Sequence, residues 1–227
     1  MSPSDTRAAR QTALIDAAIG LITRDGVAGV KARAVVDEAE VTTMALYSAF
    51  GGLPGLLSAV CEEGYARLNG RLTGLPTTDD PVADLFAQAL EYRRFALENP
   101  HLYDLLFGLP SGNGIRGEQV DGRDLPAGGT SYVNTFATLT RSCERAISAG
   151  RVTSPSSREL AAQLWALVHG HISLELSGHF GEFADPVETI LVPLTVGFMV
   201  GQGDDREASS RATRSARGLA GGSAPRV

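Results

Sequence analysis

Hydrophobic residues recur at helical intervals along most of the chain. Leu14, Ala18 and Leu21 are spaced as on one face of an amphipathic helix, and Gly26 ends that run. The next stretch, residues 31–50, reads KARAVVDEAEVTTMALYSAF and has the pattern of two short helices joined by a tight turn. The N-terminal segment is therefore predicted to form three helices, of which the last two make a helix-turn-helix.

Pairs of a capping residue and a proline mark the starts of later helices. A short polar side chain can cap free backbone N–H groups, and proline is tolerated in the first helical turn. These pairs are Asp80-Pro81, Ser154-Pro155 and Asp185-Pro186. The predicted helices cover residues 81–98, 155–177 and 186–201, with a short one from His101 and another over 130–150. Pro193 is expected to kink the helix that contains it.

The absence of strand-like alternation predicts an all-α fold with an N-terminal helix-turn-helix domain and a C-terminal helical domain. We place the first domain at residues 1–55 and the second at 56–201. Residues 108–129 are rich in glycine and are predicted to form a loop. Residues 202–227 lack any apolar face, so we predict a disordered tail.

Charge and composition narrow the possible functions. The chain has 227 residues, 43% of them hydrophobic, and a net charge of −6, which disfavours non-specific adhesion to nucleic acid or anionic membrane. No apolar segment resembles a signal peptide or reaches the length of a membrane span, so we expect a cytoplasmic protein without a membrane partner. Two isolated cysteines indicate neither a disulfide framework nor a metal cluster.

The second helix of the helix-turn-helix has the features of a DNA reader. Thr42 and Thr43 lie at its N-terminal end, where hydroxyl groups can cap the helix and the positive end of the helix attracts phosphate. A helix about 10 Å wide fits the major groove, so exposed side chains can meet base edges. The predicted DNA-contacting residues are Lys31, Arg33, Thr42, Thr43, Met44, Tyr47 and Ser48.

These residues resemble the TetR family of bacterial transcriptional regulators. The resemblance covers residues 7–60 and joins the leading helix, DGVAGVKARAVVDEAEV, the LYSAF segment and the glycine-rich turn before GLL. It implies an all-helical homodimeric repressor, whose N-terminal domain binds double-stranded DNA and whose C-terminal domain binds a small effector and dimerises.

The chain departs from the family pattern at three positions. Glu40 stands where the turn usually carries glycine, so we expect a different turn or local strain. Ala49 and Leu53 replace a histidine and a lysine that commonly contact phosphate. Five basic residues face six acidic residues over positions 1–50, a net charge of −1, which predicts modest affinity for DNA.

The C-terminal half contains a second resemblance. FALENPHLYDLLFG and LWALVHGHISLEL are similar to a C-terminal domain of a TetR subgroup marked by Trp165, His169 and Gly170. Aromatic residues with a few polar groups suit a mostly apolar effector pocket, although simple core packing is the alternative for each. The candidate pocket residues are Tyr92, Phe95, Tyr103, Phe107, Trp165 and His169.

Two apolar stripes on the helix at 155–177 and a nearly all-apolar segment at 186–201 predict a subunit interface. One stripe covers the core of its own domain and the other is expected to pair with a second copy. The candidate interface residues are Leu160, Leu164, Leu167, His171, Leu174, Ile190, Leu194 and Phe198. An ordinary monomeric core is the alternative.

Two further patterns suggest a dinucleotide site and a metal site, but neither pattern is sufficient. Gly112, Gly114 and Gly117 match a dinucleotide motif but follow no strand. His171 and His179 flank Glu175 at intervals of four, yet His171 and His179 would lie about 12 Å apart on a helix, too far for one ion. We therefore predict no metal, no cofactor and no enzyme activity.

The sequence thus predicts a ligand-responsive repressor that binds a palindromic operator as a homodimer. The alternative is a helical dimer that binds a small molecule while its DNA-reading head no longer binds an operator.

Overall fold

The computed structural model describes residues 3–107 and 129–220, and this part of the chain is all-helical, as predicted. A 3₁₀ turn, Val27–Gly29, follows the first helix, and a π-helical turn, Val187–Leu191, precedes the ninth. The helices are α1 (Pro3–Asp25), α2 (Ala32–Glu38), α3 (Thr43–Phe50), α4 (Leu53–Thr73), α5 (Pro81–Glu98), α6 (Pro100–Phe107), α7 (Thr130–Ser148), α8 (Ser157–Leu176), α9 (Val192–Gly201) and α10 (Arg206–Leu219).

The chain forms two compact units. The first comprises Met1–Arg67 and Asn99–Val133, and the second comprises Leu68–Glu98 and Asn134–Val227. The first unit thus contains α6 in addition to the predicted helix-turn-helix. Tyr65 of α4 helps to hold α6, because its hydroxyl donates a hydrogen bond of 2.7 Å to the carbonyl oxygen of Leu106.

The core of the first unit is built by the predicted apolar faces. Leu14 and Ile22 of α1, Val35 of α2 and Leu46 of α3 are completely buried. Gly26 ends α1 with a φ of 70°, a backbone conformation that glycine adopts without steric cost. These contacts fix α2 and α3 on α1 and leave the opposite side of α3 open.

The second unit is organised around α5, which contacts α8 and α10. The predicted caps hold in two of three cases: Asp80 accepts hydrogen bonds from the N–H groups of the first turn of α5, and Asp185 does the same for the π-helical turn. For α8 the cap is Ser156 instead of Ser154, so the helix begins two residues later than predicted.

Helix α10 contradicts the prediction that the tail from residue 202 is disordered. It packs on α5 and α9 through a stripe of small buried residues: Ser209, Ala212, Thr213 and Ala216. Small side chains allow a close approach of two helix backbones, so burial does not require large apolar groups. The prediction was wrong because alanine, serine and threonine at helical spacing form a face that can be buried.

A kink is predicted at Pro193, and the structure has a π-helical turn, Val187–Leu191, shortly before this residue. Proline has no N–H to donate, and its ring clashes with the carbonyl four residues earlier in a regular α-helix. A wider turn before the proline relieves that clash, and α9 then continues to Gly201.

Of the loop predicted at 108–129, residues 108–128 lie outside the described residues, as do the last tail residues, 221–227. Within the described residues, no single helix combines the length and apolar character needed to cross a membrane. The bent pair formed by α3 and α4 meets that requirement by length and composition alone.

Candidate functional site

Helix α3 begins with the predicted cap. Thr42 has extended backbone angles and its side chain accepts a hydrogen bond of 3.3 Å from the N–H of Ala45. Thr43 is the first helical residue. The N-terminal turn of α3 therefore presents free N–H groups and hydroxyl groups, which suit an anion such as phosphate.

The predicted DNA-contacting residues of α3 share its exposed side. Met44 is 77% exposed and Tyr47 is 56% exposed, whereas Leu46 between them is completely buried. Thr42, Thr43 and Ser48 are also exposed. Exposed large apolar side chains next to hydroxyl groups are typical of a contact surface.

The turn between α2 and α3 is strained at Glu40. Its φ of 52° is the only positive value at a non-glycine residue within the described part of the chain. A side chain in this conformation costs about 1 kcal/mol relative to glycine. Of the two expected outcomes, a different turn or local strain, the structure shows strain.

Glycine does remain essential where α3 meets α4. A Cβ atom on Gly55 would lie 1.9 Å from the carbonyl oxygen of Phe50, so no other residue fits. This close approach fixes the direction in which α4 leaves α3.

The first unit compensates part of its negative charge internally. Arg24 donates two hydrogen bonds to Glu38, of 3.1 and 2.9 Å, and this contact lowers the pKa of Glu38. Arg67 pairs with Asp16 at 2.9 Å. The predicted phosphate contacts Lys31 and Arg33 are exposed, although Arg33 also lies 3.8 Å from Asp37.

Two of the six candidate pocket residues lie in the first unit. Tyr103 and Phe107 of α6 pack with ring centroids 4.7 Å apart, and Phe107 also meets the edge of Tyr65. Tyr103 is completely buried, which agrees with the alternative of core packing for this residue.

The other four candidates lie in the second unit, where three of them form a polar row. The indole N–H of Trp165 donates a hydrogen bond of 3.3 Å to the Tyr92 hydroxyl, which lies 3.4 Å from Nδ1 of His169. Burial lowers the pKa of His169, which favours the neutral form of its ring. Phe95 instead packs under the guanidinium of Arg71.

The histidines and carboxylate considered for a metal have other contacts. Glu175 accepts hydrogen bonds from Arg93, and Nε2 of His171 lies 3.5 Å from the same carboxylate. His179 follows α8 in an exposed turn. Within the described residues, no three potential ligands are grouped as a metal site requires.

The predicted interface residues divide into two groups. Leu160, Leu164 and His171 are at most 7% exposed inside their own unit, so their assignment to a subunit interface was wrong. The spacing of apolar residues on a helix predicts two apolar sides, but it does not indicate which side faces the core of its own unit. Leu174 and Leu194 are 46% and 50% exposed, while the remaining three are partly buried: Leu167, Ile190 and Phe198.

Sequence reasoning missed Gln88 of α5, one turn before Tyr92. Its Nε2 donates a hydrogen bond of 2.7 Å to Ser142 of α7, while its Oε1 is shielded from solvent and has no donor within the described residues. The spacing of four from Tyr92 was the available signal, since such residues share a helix face.

Comparisons with known proteins identify this architecture. Residues 85–194 match the family model of the tetracyclin repressor-like C-terminal domain. The solved structure of RolR in complex with resorcinol is 18% identical, with 98% of each chain covered and a TM-score of 0.62. No curated protein matches the chain.

Two structures from Rhodococcus show the same fold. A protein of unknown function from Rhodococcus sp. RHA1 is 22% identical, covers 93% of this chain and 95% of its own, and has a TM-score of 0.63. A candidate TetR-family transcriptional regulator from Rhodococcus sp. is 18% identical, with 93% and 98% covered and a TM-score of 0.58.

Proposed function

We propose that this chain, which belongs to the TetR family of transcriptional regulators, represses transcription by binding a palindromic operator as a homodimer. The observation that carries the proposal is the exposed side of α3, where Met44 and Tyr47 project from a capped helix anchored by buried Leu46. A helix with this anchoring can enter a major groove without losing its core contacts.

Phosphate contacts come from the residues around this helix. Lys31 and Arg33 are exposed, and the N–H groups at Thr43 lie at the positive end of α3. Because Ala49 and Leu53 supply no polar contact, we expect few released counterions and a shallow dependence of affinity on salt.

Homodimerisation is proposed through the exposed apolar parts of α8 and α9. Leu174 and Leu194 belong to this surface, and Gly170 and Gly197 have open space where a Cβ would lie, so a partner helix can approach closely. Twofold pairing would present two copies of α3 about one DNA turn apart, roughly 34 Å, which predicts the palindrome.

An effector is proposed to bind in the second unit and to favour a dimer whose reading helices are wrongly spaced. The polar row at Tyr92, Trp165 and His169 supports a ligand site, and the related fold of RolR was solved with resorcinol. A coupling of about 1 to 3 kcal/mol would release the operator roughly 5 to 150-fold. A repressor of this kind acts in the cytoplasm.

Selection of random duplexes, followed by fluorescence anisotropy, tests the proposal. We expect an enriched palindrome, a salt-dependent affinity and at least a tenfold loss for Tyr47→Ala, because this change removes an exposed α3 contact. Val133→Ala is the matched control, since Val133 is also 56% exposed but lies on α7.

The second candidate function is a ligand-binding dimer whose helix-turn-helix no longer binds an operator. The negative charge of residues 1–50 and the loss of phosphate contacts at Ala49 and Leu53 favour it. Absence of any enriched sequence, together with a folded dimer, would support this candidate and refute the operator-binding proposal.

A further inference from the structure

We infer that the second unit binds an uncharged aromatic ring that carries a hydroxyl or amide N–H donor, in a site formed by Gln88, Tyr92, Trp165 and His169. The inference specifies the effector class of the proposed function and rests on it for the role of the site. Binding itself can be measured without DNA, so the two proposals can fail separately.

Aromatic rings provide the apolar part of the site. Trp165 lies with its ring centroid 5.9 Å from Phe136 of α7 and 6.3 Å from His169. All three rings are only partly buried, so a portion of each surface remains accessible. Planar ligands gain contact area and favourable ring geometry against such surfaces.

The polar row formed by Tyr92, Trp165 and His169 favours uncharged groups. The Tyr92 hydroxyl joins the indole N–H of Trp165 to Nδ1 of His169, and burial lowers the pKa of that imidazole. Tyrosine, tryptophan and neutral histidine recognise hydroxyl or amide groups without offering a counter-ion. They therefore provide orientation for a ligand that has no charge.

Gln88 is the reason why the ligand should carry a hydrogen-bond donor. Its Nε2 is bound to Ser142, whereas its Oε1 is shielded from solvent and accepts no hydrogen bond within the described residues. A shielded acceptor without a partner is unfavourable, so a ligand with an O–H or N–H group would gain from binding here. A ring without a donor would leave this oxygen unsatisfied.

The charged residues of α5 are already paired and cannot neutralise an ionic ligand. Each has an ion-pair partner within the second unit: Asp84 with Arg145, Glu91 with Arg71 and Arg94, Arg93 with Glu175, and Glu98 with Arg71. A carboxylate or ammonium ligand would lose hydration without meeting an unpaired opposite charge on α5. Arg158 of α8, whose guanidinium lies 5.2 Å from the centroid of the Phe136 ring, is exposed, so an ion pair with it would be screened by water and would gain little. The site thus discriminates against ionised rings.

The intrinsic fluorescence of the full-length protein provides a direct test, because Trp165 is its only tryptophan. The probes are meta-cresol, meta-methylanisole, which has the same ring without a donor, and benzoate, which is charged. We expect saturable quenching by meta-cresol. Binding of meta-methylanisole should be about tenfold weaker, the loss produced by one hydrogen bond, and binding of benzoate should be weaker by about the same factor because its charge loses hydration.

Gln88→Met isolates the donor requirement, and Gln11→Met on α1 is the matched control. The Gln88 variant should lose the preference for meta-cresol over meta-methylanisole, and the Gln11 variant should keep it. Equal binding of benzoate, an unchanged preference in Gln88→Met, or no saturable quenching by meta-cresol in the wild type would overturn the inference. If Gln88→Met does not fold, as judged by circular dichroism, the ranking of the three probes by the wild type decides.

Failure of the operator proposal has a different signature. A protein that ranks the probes as expected but enriches no DNA sequence retains the ligand site and loses the repressor function. If the protein enriches an operator but does not discriminate among the probes, operator binding is supported and the proposed ligand class is refuted.

Discussion

Arg93 joins α5 to α8 by donating hydrogen bonds to both carboxylate oxygens of Glu175, with 2.7 Å between Nε and Oε2. The side chains are only 22% and 12% exposed, so the pair is well shielded from water. Burial alone would raise the pKa of Glu175, but the nearby His171 imidazole and the hydrogen bonds from Arg93 outweigh it and lower the pKa to about 2.

This pair makes the stability of the protein dependent on pH. A carboxylate with a lowered pKa stabilises the fold above its unfolded value of 4.5, and the contribution disappears as the pH falls toward about 2. Glu175→Gln should therefore reduce the free energy of unfolding at pH 7 by on the order of 2 kcal/mol. In urea titrations, the difference from wild type should narrow between pH 5 and pH 3.

Glu207→Gln is the control for this prediction. Glu207 is 87% exposed and its contact with Arg211 is long, at 3.8 Å, so this ion pair is weak. Its substitution should leave stability unchanged across the same pH range. A constant difference between wild type and Glu175→Gln at all pH values would contradict the assigned role of the ionised carboxylate.

Replacing Glu40 by glycine should stabilise the first unit. Glycine adopts the φ of 52° without steric cost, so we expect a gain of about 1 kcal/mol in urea or thermal unfolding. Glu40→Ala removes the same charge but keeps a Cβ, and it should give no such gain. Equal stabilisation by both variants would assign the effect to charge instead of backbone strain.

A cationic residue in the proposed subunit interface should separate the dimer. Leu174→Arg and Leu194→Arg each place a charge on the exposed apolar surface of α8 or α9, where a partner would exclude water. We expect monomers in sedimentation velocity and loss of cooperative operator binding. Leu97→Arg, on α5 at 38% exposure, should remain dimeric. A monomeric wild type would refute the interface altogether.

Helix α10 should tolerate large side chains only on its outer side. Ala212 is completely buried, so Ala212→Leu overpacks the contact of α10 and should destabilise the protein by about 1 to 3 kcal/mol. Ser215→Leu, at an exposed position of the same helix, should have little effect. Similar unfolding midpoints for the two variants would show that α10 does not stabilise the second unit.

The reading helix could be predicted from local sequence because its features depend on neighbouring residues. Thr42 caps α3 through a group three residues away, and the separation of buried Leu46 from exposed Met44 and Tyr47 follows from helix periodicity. Strain at Glu40 was also expected as one of two outcomes, since the turn requires a particular backbone conformation and the residue is not glycine.

Contacts between distant segments could not be predicted in the same way. Leu160 and Leu174 both lie on apolar stripes of α8, yet one is completely buried and the other is 46% exposed. The hydrogen bond between Gln88 and Ser142 joins residues 54 positions apart, and no local sequence pattern predicts it. Such pairs depend on which helices become neighbours.

The sequence by itself determined where most helices begin and end, which side of α3 is exposed, and the likeness to TetR-family regulators. These properties follow from caps, glycine and hydrophobic periodicity, all of which act over a few residues. Only the tertiary structure decided that α10 is a packed helix and that Tyr103 and Tyr92 belong to different units. Close packing of small residues and the choice of helix partners depend on the whole core, because burial is a property of the assembled surfaces.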